Sequence, residues 1–208
     1  MIHDNALISA FIGIPEWRWK NGLRYFLAFS PLVPNFISDW SPIKGYERWY
    51  PLQEGDIVVD AGAYPGDYTI WAARKVGATG RVICFEPGEK NRAVLEKNLR
   101  AEGLTHVTVV PKGLWDCDTE LSFDQNGLAS TVHGSGRGDR IEVTRMDDAL
   151  AALGVDRIDV LKMDIEGAGI EAIDGSVETL KRSDVVANIA SYHIINGETT
   201  SHVMEEKF

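Results

Sequence analysis

The sequence predicts an α/β protein in which a mainly parallel sheet lies between two layers of helices, and three observations predict it. From residue 56 onward, short β-branched runs alternate with longer helical patterns, which is how βαβ units read. The first of those runs ends in a Gly-rich turn that leads into a helix, VVDAGAYPGDYT. The chain has 208 residues, 44% of them hydrophobic and 25% charged, enough for a sizeable core within one main domain. The expected architecture is a Rossmann-like three-layer αβα sandwich.

The elements follow in order. Residues 57–62 (IVVDAG) read as a buried strand and residues 68–76 as the helix after it. RVICFEP, residues 81–87, is the second strand; residues 90–101 form the second helix, with Val94, Leu95 and Leu99 at helical spacing. THVTVV, residues 105–110, is the third strand. Residues 112–144 are Gly-rich and polar with brief extended pieces, ELSF and IEVT, and read as loops and a hairpin inserted near the substrate. The core resumes with DVLKMDIEG, residues 159–167, then a helix over residues 170–182 interrupted near Gly175. DVVANIASYH, residues 184–193, is the fifth strand, and residues 199–208 read as helix. Residues 1–50 differ in kind, holding four of the six tryptophans (Trp17, Trp19, Trp40, Trp49) and four of the eight prolines. They are expected to pack on the domain of residues 51–208 or to cap its pocket.

Composition narrows the function classes. A formal net charge of -10 repels phosphate backbones, and no Lys/Arg run supplies a local basic patch, so nucleic acid is not expected as a partner. Cys84 and Cys117 are the only cysteines and form no metal-binding or disulfide pattern. No metal is expected, and the chemistry points to a reducing, cytoplasmic setting. The start MIHDNALISAFIGIPEWRWK lacks the basic opening and cleavage site of a secretory signal. The apolar stretch 23–37 is interrupted by Arg24, Pro31 and Pro34 and falls short of the roughly 20 residues that span a bilayer.

The candidate site lies at the carboxyl ends of the first strands, where ligands bind in doubly wound sheets. Asp60 ends the first strand and is expected to face the pocket; Gly62 and Gly66 allow positive φ and close backbone approach, although a plain structural turn reads the same way. Glu86 ends the second strand, where a carboxylate can accept the hydroxyls of a ribose. Its alternative is to cap the helix starting near Glu89. A dinucleotide loop follows GxGxxG, whereas this one is GxxxG between Asp60 and Asp67, which places negative charge where a diphosphate would lie. S-adenosylmethionine, with an ammonium and a sulfonium, suits an acidic pocket better.

VVDAGAYPGDYT, FEP and above all DVLKMDIEG, followed by a helix containing Glu171, resemble the FkbM-type family of class I methyltransferases over roughly residues 56–208. The resemblance implies S-adenosylmethionine as cofactor and methylation of a hydroxyl on a natural product or sugar, with a small molecule or glycan as acceptor. It assigns the methionine end of the cofactor to Asp60, Gly62, Ala63, Tyr64 and Gly66, the ribose to Glu86, and the adenine to Gly113, Leu114 and Trp115. Asp164 falls where related enzymes contact the cofactor or the acceptor; Lys162 and Glu166 share its motif, with a buried pair partner and a helix cap as their structural alternatives. Two departures accompany this. Tyr64 stands where the family has Asn, and Pro65 removes a backbone donor. Such sheets normally finish with two further strands in an antiparallel hairpin, and the expectation here is either a fragment or a fifth-strand edge that is covered otherwise, an open edge inviting a homodimer contact.

Methyl transfer is an in-line displacement, in which alignment contributes up to about 7 to 11 kcal/mol. A hydroxyl acceptor also calls for a base. His193 is the first candidate, Asp164 the second and His133 a weaker third. An NAD-dependent oxidoreductase and a noncatalytic cofactor-binding domain are the rival readings.

Overall fold

The computed structural model describes residues 46, 50–124, 131–133, 139–165, 167–190, 194–195 and 198–199. Contacts divide the chain between Arg48 and Trp49, and the unit described is Trp49–Phe208. Its centre is a five-stranded sheet, order β3-β2-β1-β8-β9, with every pairing parallel. The strands are β1 (Ile57–Ala61), β2 (Arg81–Phe85), β3 (Val107–Val110), β8 (Val160–Met163) and β9 (Val186–Ile189). β1, β2 and β8 are buried along almost their whole length, as parallel strands covered on both faces must be. The five expected strands are therefore present, each shorter at its ends than its apolar run.

One face of the sheet carries Val59, Ala61, Ile83, Phe85, Leu161 and Met163, which pack with Met146, Leu150, Ile158 and Ala172 into the main core. Alternation sends Val58, Asp60 and Lys162 to the other face. There α1 (Asp67–Val76) packs on β1 and β2. α1 has Asp67 in its first turn and Arg74 and Lys75 in its last, the charge order that complements a helix dipole. In α2 (Glu89–Ala101) the buried positions are Asn91, Leu95 and Leu99, four residues apart, so they form one stripe. Val94 was expected on that stripe; it is 39% exposed, because it sits a quarter-turn off the 91-95-99 line.

The segment between β3 and β8 holds more structure than a hairpin. Its strands β4 (Gly113–Leu114), β5 (Thr119–Asp124), β6 (Thr131–His133) and β7 (Asp139–Thr144) form a separate four-stranded sheet, order β4-β7-β5-β6. In β7, buried Ile141 and Val143 flank exposed Glu142, and Trp115 and Leu121 pack on the buried pair. An unexpected helix follows, α3 (Met146–Ala152).

The predicted break near Gly175 separates α4 (Gly169–Asp174) from α5 (Val177–Arg182). Its cause is contact with the inserted sheet: a Cβ at Gly175 would lie 1.9 Å from the carbonyl oxygen of Trp115. Asp147 of α3 fastens the junction. Its buried carboxylate accepts the backbone N–H of Thr179 at 2.8 Å and of Glu178 at 3.1 Å, and pairs with Arg145 at 3.0 Å. Asp147→Ala leaves those two amides without their acceptor and the half-buried Arg145 guanidinium to Asp148 at 3.6 Å. It is expected to lower unfolding free energy by about 2 kcal/mol in urea denaturation; a change below about 0.5 kcal/mol would show that Asp147 is dispensable.

Beyond β9, β10 (Ile194–Ile195) and β11 (Glu198–Thr199) pair with each other in a two-stranded sheet. Thr199 is thus in a strand where helix was expected; residues 200–208 lie outside the described residues. Among the described residues, β9 is an edge of the central sheet.

Candidate functional site

Strand order reverses beside β1: the chain runs outward through β2 and β3, then returns to β8 on β1's other side. The carboxyl ends of β1, β2 and β8 therefore border the crevice where open α/β sheets bind ligands. Asp159 and Asp164 fasten the two ends of the β1–β8 pairing. Asp159 Oδ2 accepts the Ile57 N–H at 2.8 Å, and the Asp164 N–H donates to Ala61 O at 3.0 Å.

Glu86 follows β2 by one residue and is 3% exposed. Oε1 accepts the Gly88 N–H at 3.0 Å and Oε2 the Tyr64 N–H at 3.2 Å. Burial pushes its carboxyl above the usual carboxylate range, opposed by the bonds from Gly88, Tyr64 and Asn91 and by the charge of Arg92. Arg92 also clasps the turn, donating to Pro87 O at 2.9 Å and Glu86 O at 3.2 Å. Of the two expectations for Glu86, the structure shows the tie to the residue before α2, and the carboxylate as a whole is fixed at the strand tip.

The glycine loop is bound to the same tip. Gly62 and Ala63 both donate their N–H to Phe85 O, at 3.1 and 3.3 Å, Tyr64 donates to Glu86, and Pro65 has no N–H. Positions 62–65 consequently keep no uncommitted amide to cradle a phosphate, the requirement of a dinucleotide loop. The glycines serve the chain's own packing. A Cβ at Gly62, where φ is 78°, would lie 2.1 Å from Asp164 O; one at Gly66, where φ is 107°, would lie 2.9 Å from Leu95 Cδ1.

Asp60 corrects the expectation of a carboxylate facing the pocket. Its side chain is 1% exposed, Oδ2 accepts the Thr69 hydroxyl at 2.5 Å, and Oδ1 ion-pairs with Lys162 Nζ at 2.9 Å. Burial raises its pKa while Lys162 and Thr69 pull it down. The reason is register: Asp60 and Lys162 are directly paired across β1 and β8, on the face that α1 covers. A buried charge must be paired, so of the two readings of Lys162 the observed one is the buried partner. Asp60 and Glu86 are thus both buried at neighbouring strand tips, Asp60 paired with Lys162 and Glu86 bonded to the Gly88 and Tyr64 amides.

Gly113 and Leu114, assigned to the adenine, are buried in β4, where a Cβ at Gly113 would lie 3.2 Å from Val143 Cγ1 and 3.6 Å from Pro87 Cγ. Trp115 is partly buried on Ile141 and Val143. Asp164 stands against Gly62 at the tip of β8. Glu166 and His193 lie outside the described residues, as does the side chain of His133. Thr69 was not foreseen; a hydroxyl two residues into a helix that follows an acidic strand tip is its only signal. Among the described residues no group of three acidic, His or Cys side chains could hold a metal ion, and no helix is long and apolar enough to cross a membrane.

The arrangement suits a nucleoside with ribose hydroxyls and positive charge better than a diphosphate. Comparison with known proteins gives the family and related folds. Residues 60–205 match the family described as Methyltransferase FkbM domain. The AMB antimetabolite synthetase AmbE of Pseudomonas aeruginosa is 26% identical over 161 residues, covering 57% of this chain and 8% of that protein. The solved structure of a methyltransferase FkbM from Methylobacillus flagellatus KT shares the fold with a TM-score of 0.55 at 23% identity, over 70% of this chain and 35% of that one. A SAM-dependent O-methyltransferase from Thermotoga maritima matches at a TM-score of 0.41 and 20% identity, over 71% of this chain and 40% of the other. The chain thus spans only a small part of the synthetase and about a third of the FkbM structure's length.

Proposed function

The chain belongs to the FkbM family of S-adenosylmethionine-dependent methyltransferases, and on that premise we propose that it methylates a hydroxyl of a small molecule or sugar. The observation that carries the reading within the site is the use of the loop's amides. With Gly62, Ala63 and Tyr64 donating inward, these positions hold out no amide to an anion, which favours a cationic nucleoside over a diphosphate.

S-adenosylmethionine, when bound, would supply a methyl group on sulfonium, the acceptor oxygen bonding to the methyl carbon as the sulfur leaves in line in S-adenosylhomocysteine. The residues' work is binding and alignment. Glu86, immobilised by two backbone amides, accepts the ribose hydroxyls, each such bond to a charged group contributing about 1.5 to 3 kcal/mol. Positions 62–66 receive the amino-acid end, and Gly113, Leu114 and Trp115 border the base. We assign proton removal from the acceptor to His193, which follows β9 in the chain, with Asp164 beside Gly62 as the second candidate. The net charge of -10 disfavours a nucleic-acid acceptor, and the likeness to an antimetabolite synthetase favours a small one.

Calorimetry with S-adenosylhomocysteine and NAD tests the cofactor: the first should bind and the second should not, and the reverse would overturn the reading. A panel of glycan and small-molecule hydroxyls with labelled methyl donor then tests the acceptor, and label appearing only on nitrogen or on nucleic acid would remove the O-methylation proposal. His193→Ala with unimpaired turnover would transfer the base role to Asp164.

Acidity gives a further prediction. Because burial raises the Glu86 carboxyl, it takes up a proton at a higher pH than an exposed glutamate and then loses acceptor capacity. S-adenosylhomocysteine affinity is expected to fall as pH drops, beginning above the ordinary carboxylate range near pH 4.3. Affinity that stays flat down to that range would contradict the role of Glu86.

A further inference from the structure

Lys162 is an ammonium buried directly against the loop that receives the cofactor. Three oxygens surround it, two backbone carbonyls that accept from it and its counter-ion. Asp60 Oδ1 lies at 2.9 Å, Gly62 O at 2.8 Å and Ala61 O at 3.4 Å, with the lysine side chain 8% exposed. Thr69 reaches down from α1 to fix the other oxygen of Asp60. The Gly62 peptide is therefore held on every side: its N–H by Phe85 O, its carbonyl by Lys162, and its bare α-carbon by the Asp164 backbone.

A buried ion pair is weak evidence for stability, since well-packed apolar residues often replace one without loss. What apolar residues cannot do is orient a carbonyl. We propose that Lys162 is a positioning residue: it holds the Ala61 and Gly62 carbonyls and so sets the loop for the cofactor's amino-acid end, with Asp60 as its counter-charge rather than as a cofactor ligand. This rests on the methyltransferase reading for what the loop binds, and on geometry alone for how the loop is held.

Lys162→Met alone strands a buried carboxylate, so the informative variant is Asp60→Asn with Lys162→Met, which removes both charges. Two readouts separate the layers of the argument. Amide hydrogen exchange in the ligand-free protein should show Gly62 and Ala63 exchanging about 10-fold to 100-fold faster, with the β2 and β8 amides unchanged. In the same variant the KM for S-adenosylmethionine and the Kd for S-adenosylhomocysteine should rise by roughly 10-fold to 100-fold, while kcat at saturating cofactor stays within about threefold. Lys162→Arg, which keeps charge and donors, should retain most of the affinity. Unchanged loop exchange, or a loss confined to kcat, would overturn the proposal. Faster loop exchange in a protein whose wild type binds no S-adenosylhomocysteine would uphold the positioning role and overturn the cofactor reading instead. Should the double variant not fold, Thr69→Val loosens Asp60 without stranding a charge: about threefold to tenfold faster loop exchange is expected, and wild-type exchange would reject the proposal.

Discussion

Gly62→Ala is expected to lower the unfolding free energy by about 3 to 5 kcal/mol, a large share of the roughly 5 to 15 kcal/mol that holds a domain of this size. Two effects add. The residue sits at φ 78°, where a side chain is strained, and its new Cβ would lie 2.1 Å from the Asp164 carbonyl oxygen and 3.0 Å from its carbon. The obstacle is backbone, and that backbone is anchored, because the Asp164 N–H donates to Ala61 O. Relief requires β8 to part from β1 at the strand tips, in the middle of the sheet. Gly66→Ala should cost less, about 1 to 2 kcal/mol: φ is 107°, but the clash is with the end of the Leu95 side chain, which can rotate away. Gly103→Ala, with φ 65° and nothing within 4 Å, isolates the conformational term and should cost about 1 kcal/mol. Urea denaturation of the three variants gives the order Gly62, Gly66, Gly103. A Gly62→Ala protein as stable as the Gly103→Ala protein would mean that the strand tips are not pressed together as described.

The parts of this fold that sequence makes legible are those specified locally. β1, β2 and β8 are largely apolar runs, broken by the Asp60–Lys162 pair, because parallel strands are buried on both faces, and α2 shows its buried stripe at Leu95 and Leu99 in spacing alone. Gly175 marks the break between α4 and α5, although its reason, the Trp115 carbonyl, is 60 residues away in the chain. What sequence hides is non-local. β4 has two residues and exists only by pairing with β7, and α3 is a seven-residue helix with two aspartates in its first turn. The site divides along the same line. The place of Glu86 just after β2 could be read because the end of an apolar strand is visible in sequence. The direction of Asp60 could not, because an acid in a parallel strand can face either layer, and the choice was made by Lys162, 102 positions later, through register. The commitment of the Gly62, Ala63 and Tyr64 amides to Phe85 and Glu86 is equally invisible in sequence.

Glu86→Gln is expected to weaken S-adenosylhomocysteine binding by about 100-fold, with little effect on stability, and the contrast between the two readouts is the test. The binding loss follows from replacing a carboxylate acceptor by an amide, since two hydrogen bonds to a charged group are each worth about 1.5 to 3 kcal/mol. The stability side follows from the direction of the pKa shift. The folded protein raises the Glu86 carboxyl, so it binds that proton more tightly than the unfolded chain does. The stability contributed by the neutral form is present in acid and is lost as pH rises through the raised value, so at neutral pH the charge is held against its own solvation. Glutamine keeps the shape and can still accept one of the two N–H bonds from Gly88 and Tyr64, while it relieves the desolvation of the charge. These terms oppose one another and should leave the melting temperature within a few degrees of wild type. A carboxylate retained under those conditions serves what it binds rather than what it supports. If Glu86→Gln instead unfolds the domain, or if it folds and binds S-adenosylhomocysteine as tightly as wild type, Glu86 belongs to the scaffold and the ribose must be held elsewhere.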